Sequence, residues 1–378
     1  MKKITLLSAL FFLFSAGFAL AQAPSQLQIQ APKQEFFKGK VVEVVEQGEK
    51  TIQGYKNYFQ TLRVRIIDGT EKGKYTIIEN GKDAQITKEQ LVDKNQDIIV
   101  SKTSYRGKSV YAIYDYYRLN QLLLTIIIFF IAVVIIAGIK GIGSILGMVV
   151  SLGIIIGYIL PGIVKGQDPL TVTLIGSVAI LTSTTYLAHG ISKKTTIALV
   201  STLISLFLTA AFAIIAINFN KITGLGNEDA FSLQIGPTSV INIKGLFLSG
   251  IIIATLGALN DITTTQAATI LELKLADPRL KFLSLFEKGI NVGKEHIASL
   301  VNTLILAYVG SAFAVFIFFL LNPAHLPYWV ILNNEVVSDE LIKIIAGSMG
   351  LLLSVPIVTV IASYIFSKIK VSDGSQKS

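Results

Sequence analysis

Apolar segments long enough to cross a lipid bilayer fill most of the chain after Leu119. About 20 apolar residues span the hydrocarbon core of a bilayer, and seven segments of roughly this length follow one another. They cover residues 119–138, 144–161, 170–188, 195–217, 245–263, 297–321 and 342–366. The sequence therefore predicts an α-helical polytopic membrane protein with about seven transmembrane helices, embedded in the lipid bilayer as a bundle over residues 119–366.

The composition agrees with a membrane bundle and excludes several other classes. Hydrophobic residues make up 52% of the chain and charged residues only 15%, whereas soluble domains carry about 25% charged residues. An ordinary cytosolic enzyme, a disordered protein and a fibrous protein are excluded on this ground. The chain has no cysteine, which excludes disulfides and cysteine-based metal centres.

The first 21 residues have the pattern of a secretory signal peptide. Two lysines are followed by an apolar run over residues 4–14 and by the small-x-small site Ala19-Leu20-Ala21, which is where signal peptidase cleaves. We expect the mature chain to begin at Gln22, with an uncleaved anchor helix as the alternative. Both interpretations place the residues that follow outside the cytoplasm.

Residues 22–118 predict a small extracytoplasmic all-β domain behind a polar tether. Short β-type runs occur at residues 39–45, 59–67, 74–78, 97–101 and 109–114. Five short strands in about 80 residues are typical of an OB-like barrel. The sequence shows no evident aromatic stacking face, so an external cap without its own ligand is expected, and ligand binding is the alternative.

Basic residues indicate the orientation of the bundle. With the β domain outside, the predicted inner loops and tail hold eleven Lys and Arg residues and the outer loops hold three. Cytoplasmic loops of membrane proteins are enriched in Lys and Arg. The sequence thus predicts a plasma-membrane protein with a cytoplasmic tail at residues 367–378, and its net charge of +9 requires no nucleic acid partner.

Glycine pairs on the second segment predict close helix packing. Gly143 and Gly147 form one small-xxx-small motif, and Gly153 and Gly157 form another. Such motifs let two helix backbones approach each other. We therefore expect a homo-oligomer through these glycine-rich helices, or a second membrane subunit, as a partner.

Polar residues on the fifth and sixth segments form the candidate functional site. An intramembrane carboxylate is costly and is a functional candidate by default, although Asp261 could instead cap a new helix over Thr264 and Thr265. A polar stripe on an apolar helix is expected to face protein or water. The predicted polar seam consists of Asp261, Thr265, Ser299, Asn302, Thr303 and Tyr308.

No catalytic signature accompanies these residues. Walker A, HExxH and GxSxG patterns are absent from the sequence, and these are the motifs of phosphate-binding loops, zinc proteases and serine hydrolases. No His pair has metal-ligand spacing. We expect no enzyme activity, no cofactor and no metal.

Several blocks of the chain resemble the YibE/F-like family over about residues 36–366. The resemblance is carried by Asp115-Tyr116-Tyr117-Arg118, Gly138 to Gly147, Leu160-Pro161-Gly162 with Gly166 and Pro169, Gly257-Ala258-Leu259-Asn260-Asp261, Asn302 to Gly310, and Gly347 to Leu351 with Pro356. Where the family usually has an Arg-Asp pair, this chain has Lys294-Glu295, followed by an unusual His296. The resemblance implies a bacterial multi-pass membrane protein, of a family without an assigned activity that is often regarded as a set of transporters.

Two functions remain open from the sequence. The first is a permease for an ion or small solute, proton-coupled through Asp261, because transporters bind substrates between helices near the bilayer midplane. The alternative is a non-transporting membrane anchor or assembly component, whose external β domain binds a partner or an envelope polymer.

Overall fold

The computed structural model describes residues 34–52, 55–82, 85–105, 108–226, 228–235 and 241–369. The predicted signal peptide, its cleavage site, the tether and residues 370–378 lie outside the described residues. The chain divides into two compact units, Pro24–Ala132 and a second unit that contains Val133–Ser378. The division falls inside the first long helix, and the predicted domain boundary at residue 118 stays a prediction.

Five antiparallel strands form the first unit in the order β3-β2-β1-β4-β5. The strands are β1 (Gln34–Ile52), β2 (Tyr55–Ile66), β3 (Tyr75–Asn80), β4 (Asp97–Tyr105) and β5 (Lys108–Tyr116). Short 3₁₀ turns follow β2 at Gly69–Glu71 and precede β4 at Lys88–Gln90. The structure confirms the predicted all-β domain, and each strand begins and ends within a few residues of its predicted run except the longer β1.

This sheet forms an OB-like half-barrel with one buried face. On β2, Leu62 and Val64 are fully buried whereas the intervening Arg63 is exposed, as expected where successive side chains point to opposite faces. Register shifts along β1 add bulges that bend this long strand. The sheet edges approach each other, since Lys74 beside β3 donates a 2.7 Å hydrogen bond to Tyr111 on β5. The core consists of Phe37, Val41, Leu62, Val64, Ile66, Ile78, Val92, Ile98 and Val100.

Most of the remaining described residues form α-helices. They are α1 (Leu119–Ile154), α2 (Leu160–Val164), α3 (Pro169–His189), α4 (Lys193–Phe219), α5 (Glu228–Ile235), α6 (Ile243–Ala276), α7 (Phe282–Ser311), α8 (Phe313–Leu321), α9 (Tyr328–Leu332) and α10 (Glu335–Ser367). Six stretches of the described residues are long and apolar enough to span a membrane, and there are seven if the bent pair α7 and α8 forms one span. The predicted polytopic bundle is confirmed.

Two elements differ from the predicted straight crossings. Helix α1 contains a non-helical Gly138 (φ 59°, ψ −138°), a positive φ that glycine adopts without steric cost; this residue separates the first span from the second. The sixth crossing is broken, because α7 and α8 meet at a 65° bend. The second crossing continues from α1 through a π-helical turn at Ile155–Ile159 into α2, which contains Pro161.

Helix α6 lies at the centre of the bundle. It packs against α3, α4, α7 and α10, and its 34 residues extend about 51 Å at 1.5 Å per residue. Leu256, Leu259 and Ile262 of α6 belong to the main apolar core. Other helices cover α6 on most sides. The candidate site lies on the one face of α6 that stays exposed.

Candidate functional site

The exposed residues of α6 form a single stripe along the helix. Gly250, Ala254, Gly257, Asp261 and Thr265 are all exposed and recur every three or four residues, which is the spacing of one helical face. A Cβ built on Gly250 or Gly257 would meet no atom within 4 Å. The stripe is therefore a shallow groove of small residues, with a carboxylate and a hydroxyl toward one end.

Asp261 lies in the middle of an unbroken helix. Helix α6 begins at Asn242, whose side chain accepts a hydrogen bond from the Gly245 amide, and it continues 15 residues beyond Asp261 to Ala276. The cap alternative is therefore wrong, because Asp261 has no helix start to cap. His189, at the end of α3, lies near enough to Asp261 to interact with it electrostatically.

The polar residues of α7 also lie on one exposed face. Ser299, Asn302 and Thr303 are exposed, whereas Ile297, Leu300, Val301 and Leu304 pack against the bundle core. The Thr303 hydroxyl donates to the Ser299 carbonyl of its own helix, at 2.9 Å. The predicted stripe is present, and its side chains point away from the core of this chain.

The exposed stripes of α6 and α7 lie on the same side of the helix pair. A Cβ built on Gly347 of α10 would lie 3.0 Å from both Thr255 of α6 and Leu304 of α7, so α10 covers the pair from one side. At about 100° per residue, Asp261 is roughly 120° around α6 from Thr255, and Ser299 is roughly 140° around α7 from Leu304. Both stripes thus face away from α10.

The two helices are antiparallel, and their register fixes the depth of each residue. The Gln266 amide on α6 donates a 2.7 Å hydrogen bond to the Gly289 carbonyl on α7, and Thr255 meets Leu304 at Gly347. These two points place Gly257 near the depth of Ser299. Asp261 lies about one helical turn nearer the α6 C-terminus. We call this surface, formed by the exposed stripes of α6 and α7, the α6–α7 face.

Tyr308 is separated from the other residues of the predicted seam. It lies about 180° around α7 from Ser299 and near Gly347 of α10, where its hydroxyl is buried without a hydrogen-bond partner among the described residues. Within the described chain, no hydrogen bond joins Asp261 or Thr265 to the polar residues of α7. The structure gathers five of the six residues on one face, and their functional role stays a prediction.

A second set of polar residues lies inside the bundle, and none of its members belongs to the predicted seam. Thr202 of α4 and Thr263 of α6 share a 2.6 Å hydrogen bond, and the Thr185 hydroxyl of α3 donates to Asn260 at 2.8 Å. Gln266 also donates to the Thr359 hydroxyl of α10 at 2.9 Å. The available signal in the sequence was the presence of Thr202, Asn260, Thr263 and Gln266 within otherwise apolar spans. These bonds tie the helices of the interior together.

The β domain presents an aromatic and basic surface on the outside of β2 and β3. Tyr75 and Ile77 are about half exposed, and the Arg63 guanidinium lies 5.3 Å from the Tyr75 ring centroid. Arg65 is also exposed and pairs with Tyr75 across the strands. This surface carries one ring, that of Tyr75, next to two arginines that become its neighbours when β2 pairs with β3. The expectation of a cap without its own ligand stays a prediction.

The fold and the site define a class of protein. A multi-pass helical membrane bundle carries an N-terminal OB-like β half-barrel, and its α6–α7 face exposes polar side chains. In the described residues, no group of three or more His, Asp or Glu side chains is placed to hold a metal ion.

The chain belongs to the YibE/F-like protein family. The family model matches residues 125–368, which contain almost all of the helical bundle and every residue of the predicted seam. The predicted resemblance is thereby confirmed over these residues, and its extension to residues 36–124 stays a prediction. No curated protein and no solved structure matches the chain.

Proposed function

We propose that this protein is a permease that moves a small cation across the membrane along the α6–α7 face. The observation that carries the proposal is the exposure of the Asp261 carboxylate on an unbroken membrane helix. Ionisable side chains within membrane spans are costly, and they mark ion or proton pathways. We propose no catalytic role for the chain.

The surroundings of Asp261 support a cation rather than an anion. Thr265, Ser299 and Thr303 add hydroxyl oxygens to the same face, and oxygen atoms are the ligands of hard cations such as Na⁺. Protons use carboxylates as relays in transporters. The sequence-based orientation would place Asp261 toward the cytoplasmic half of this path.

Replacing Asp261 by Asn tests the proposal. The variant Asp261→Asn keeps the shape of the side chain and removes its charge, so proton or Na⁺ flux into proteoliposomes should fall by at least about tenfold. Expression and thermal stability should stay near those of the unchanged protein, because Asp261 makes no hydrogen bond within the described chain that the substitution would break.

Glu272→Gln is the matched control for this experiment. Glu272 lies on α6 and is also exposed, but it is 11 residues farther along the helix. Removing its charge should leave flux within about twofold of the unchanged protein. Equal losses in both variants, or none in Asp261→Asn, would contradict the proposed path.

The β2–β3 surface favours a second candidate function, the binding of an anionic polymer or partner outside the membrane. OB-folds bind oligonucleotides and oligosaccharides on this same pair of strands. Arg63, Arg65 and Tyr75 offer positive charge and a ring for stacking. If Asp261→Asn leaves flux unchanged, this anchoring and binding role becomes the better-supported function.

A further inference from the structure

The α6–α7 face places polar side chains where lipid would otherwise lie. Lipid tails offer no hydrogen bonds, so polar side chains on transmembrane helices face protein or water. Among the described residues, the Ser299 hydroxyl and the Asn302 amide have no hydrogen-bond partner. An isolated copy of this chain in a bilayer would leave these groups and the Asp261 carboxylate uncovered.

One of the two glycine pairs of the second span, Gly143 and Gly147, faces another helix of the same chain. A Cβ built on Gly143 would lie 2.9 Å from the Leu187 carbonyl oxygen, and one built on Gly147 would lie 3.5 Å from Thr184. These two glycines therefore pack α1 against α3 within one chain. A Cβ built on Gly153 or Gly157 meets no atom within 4 Å, so a contact between copies through this second motif stays a prediction.

The two stripes of the α6–α7 face have complementary shapes. On α6, Gly250, Ala254 and Gly257 leave a groove, and small residues of this kind let a neighbouring helix approach closely. On α7, Ser299 and Asn302 lie on the exposed face of the helix, and their side chains project beyond a glycine or alanine surface; we call these two side chains the α7 ridge. A groove and a ridge lie side by side on one surface.

A two-fold axis along the membrane normal would bring each ridge into a groove. Such a rotation keeps every residue at its own depth and brings α6 of one copy against α7 of the other, twice over. Gly257 and Ser299 share nearly the same depth, as the contacts of Gln266 with Gly289 and of Thr255 with Leu304 show. The groove of one copy therefore lies at the same depth as the ridge of the other, so the surface is self-complementary.

We propose that the α6–α7 face binds a second copy of this chain, with the α7 ridge of each copy in the α6 groove of the other. The donors of the ridge, the Ser299 hydroxyl and the Asn302 amide, then lie along the same interface as the acceptor Asp261 of the second copy. The interface shares Asp261 and Ser299 with the proposed cation path, which would then run between the two copies. Crosslinking tests the interface, and ion flux tests the path.

Disulfide crosslinking tests the pairing directly, because the chain has no cysteine of its own. Two differently tagged copies are co-expressed, one carrying Gly257→Cys and the other Ser299→Cys. Mild oxidation in native membranes should give a crosslinked dimer containing both tags. Ala254→Cys with Thr303→Cys is a second pair at matched depth, in case either first variant folds poorly.

Cysteines on other exposed membrane surfaces provide the control. Val200→Cys on α4 and Val360→Cys on α10 replace apolar residues that are 43% and 44% exposed and lie at nearly the same depth, because Gly350 of α10 lies against Thr209 of α4. This pair should give no dimer. The proposal is overturned if neither test pair crosslinks while the variants are present in the membrane. Labelling of Ser299→Cys by a charged, membrane-impermeant thiol reagent without crosslinking would show that the face opens to water instead. A crosslinked product whose mass differs from that of two copies of this chain would also overturn the proposal.

Discussion

Glu71 is the side chain that joins the two edges of the β half-barrel. It accepts hydrogen bonds from the Lys102 ammonium at 2.7 Å and from the Tyr111 hydroxyl at 2.8 Å, and Lys74 lies 3.4 Å away. The Lys102 hydrogen bond, reinforced by that of Tyr111, holds the pKa of Glu71 below its usual value of 4.5. The ionised carboxylate is therefore the form that stabilises the folded domain.

This lowered pKa predicts a pH-dependent stability. A carboxylate whose pKa is lower in the folded state contributes stability above its unfolded pKa, and that contribution disappears as the pH falls through the folded value. At about pH 7, Glu71→Gln should lower the free energy of unfolding of the excised domain, residues 22–118, by about 1 kcal/mol. The difference should close as the pH falls well below 4.5.

Glu79→Gln is the matched control for the pH series, measured by urea unfolding at each pH. Glu79 pairs with Lys82 at 2.8 Å, but both side chains are about half exposed, and exposed ion pairs contribute little. A Glu71→Gln variant as stable as the parent at neutral pH would contradict the assigned role of Glu71.

At the scale of elements, the two glycine motifs on the second span have different environments. Gly143 lies against the backbone of α3, whereas a Cβ built on Gly153 or Gly157 meets no atom within 4 Å. The sequence presents both motifs alike. The difference arises because only the first of the two glycine motifs lies against α3.

Substitution of one glycine from each motif tests this difference. Gly143→Leu should push the span away from α3 and lower stability by about 1–3 kcal/mol, the usual cost of overpacking. Gly157→Leu should be nearly neutral, because its side chain enters open space in this chain. Thermal unfolding of the two variants in detergent gives the comparison, and equal effects would count against the α1–α3 packing.

At the scale of the whole molecule, the distribution of basic residues predicts the orientation of the bundle. Reporter proteins fused after Lys194 or within residues 274–294 should be found on the cytoplasmic side. These segments carry most of the basic residues of the predicted inner loops, and loops rich in Lys and Arg stay on that side. Fusions near Lys221 and Asn333 should read external. A cytoplasmic reading near Lys221 would show that the number of crossings before it differs from the prediction.

The sequence by itself determined the membrane bundle, the strands of the β domain and the residues that form the two polar stripes. Membrane spans follow from the length of an apolar segment, and strands follow from the alternation of apolar and polar residues. Both signals are local and can be read from a short stretch of sequence. Likewise, the helical repeat alone put Asp261 with Thr265, and Ser299 with Thr303, on common faces.

Only the tertiary structure decided which polar residues are buried and which are exposed. Gln266 and Thr263 are enclosed and bonded to neighbouring helices, whereas Asp261 on the same helix is exposed. The sequence could not separate these cases, because the direction in which a helix face points depends on the positions of its neighbours. Those positions follow from side-chain packing between distant segments.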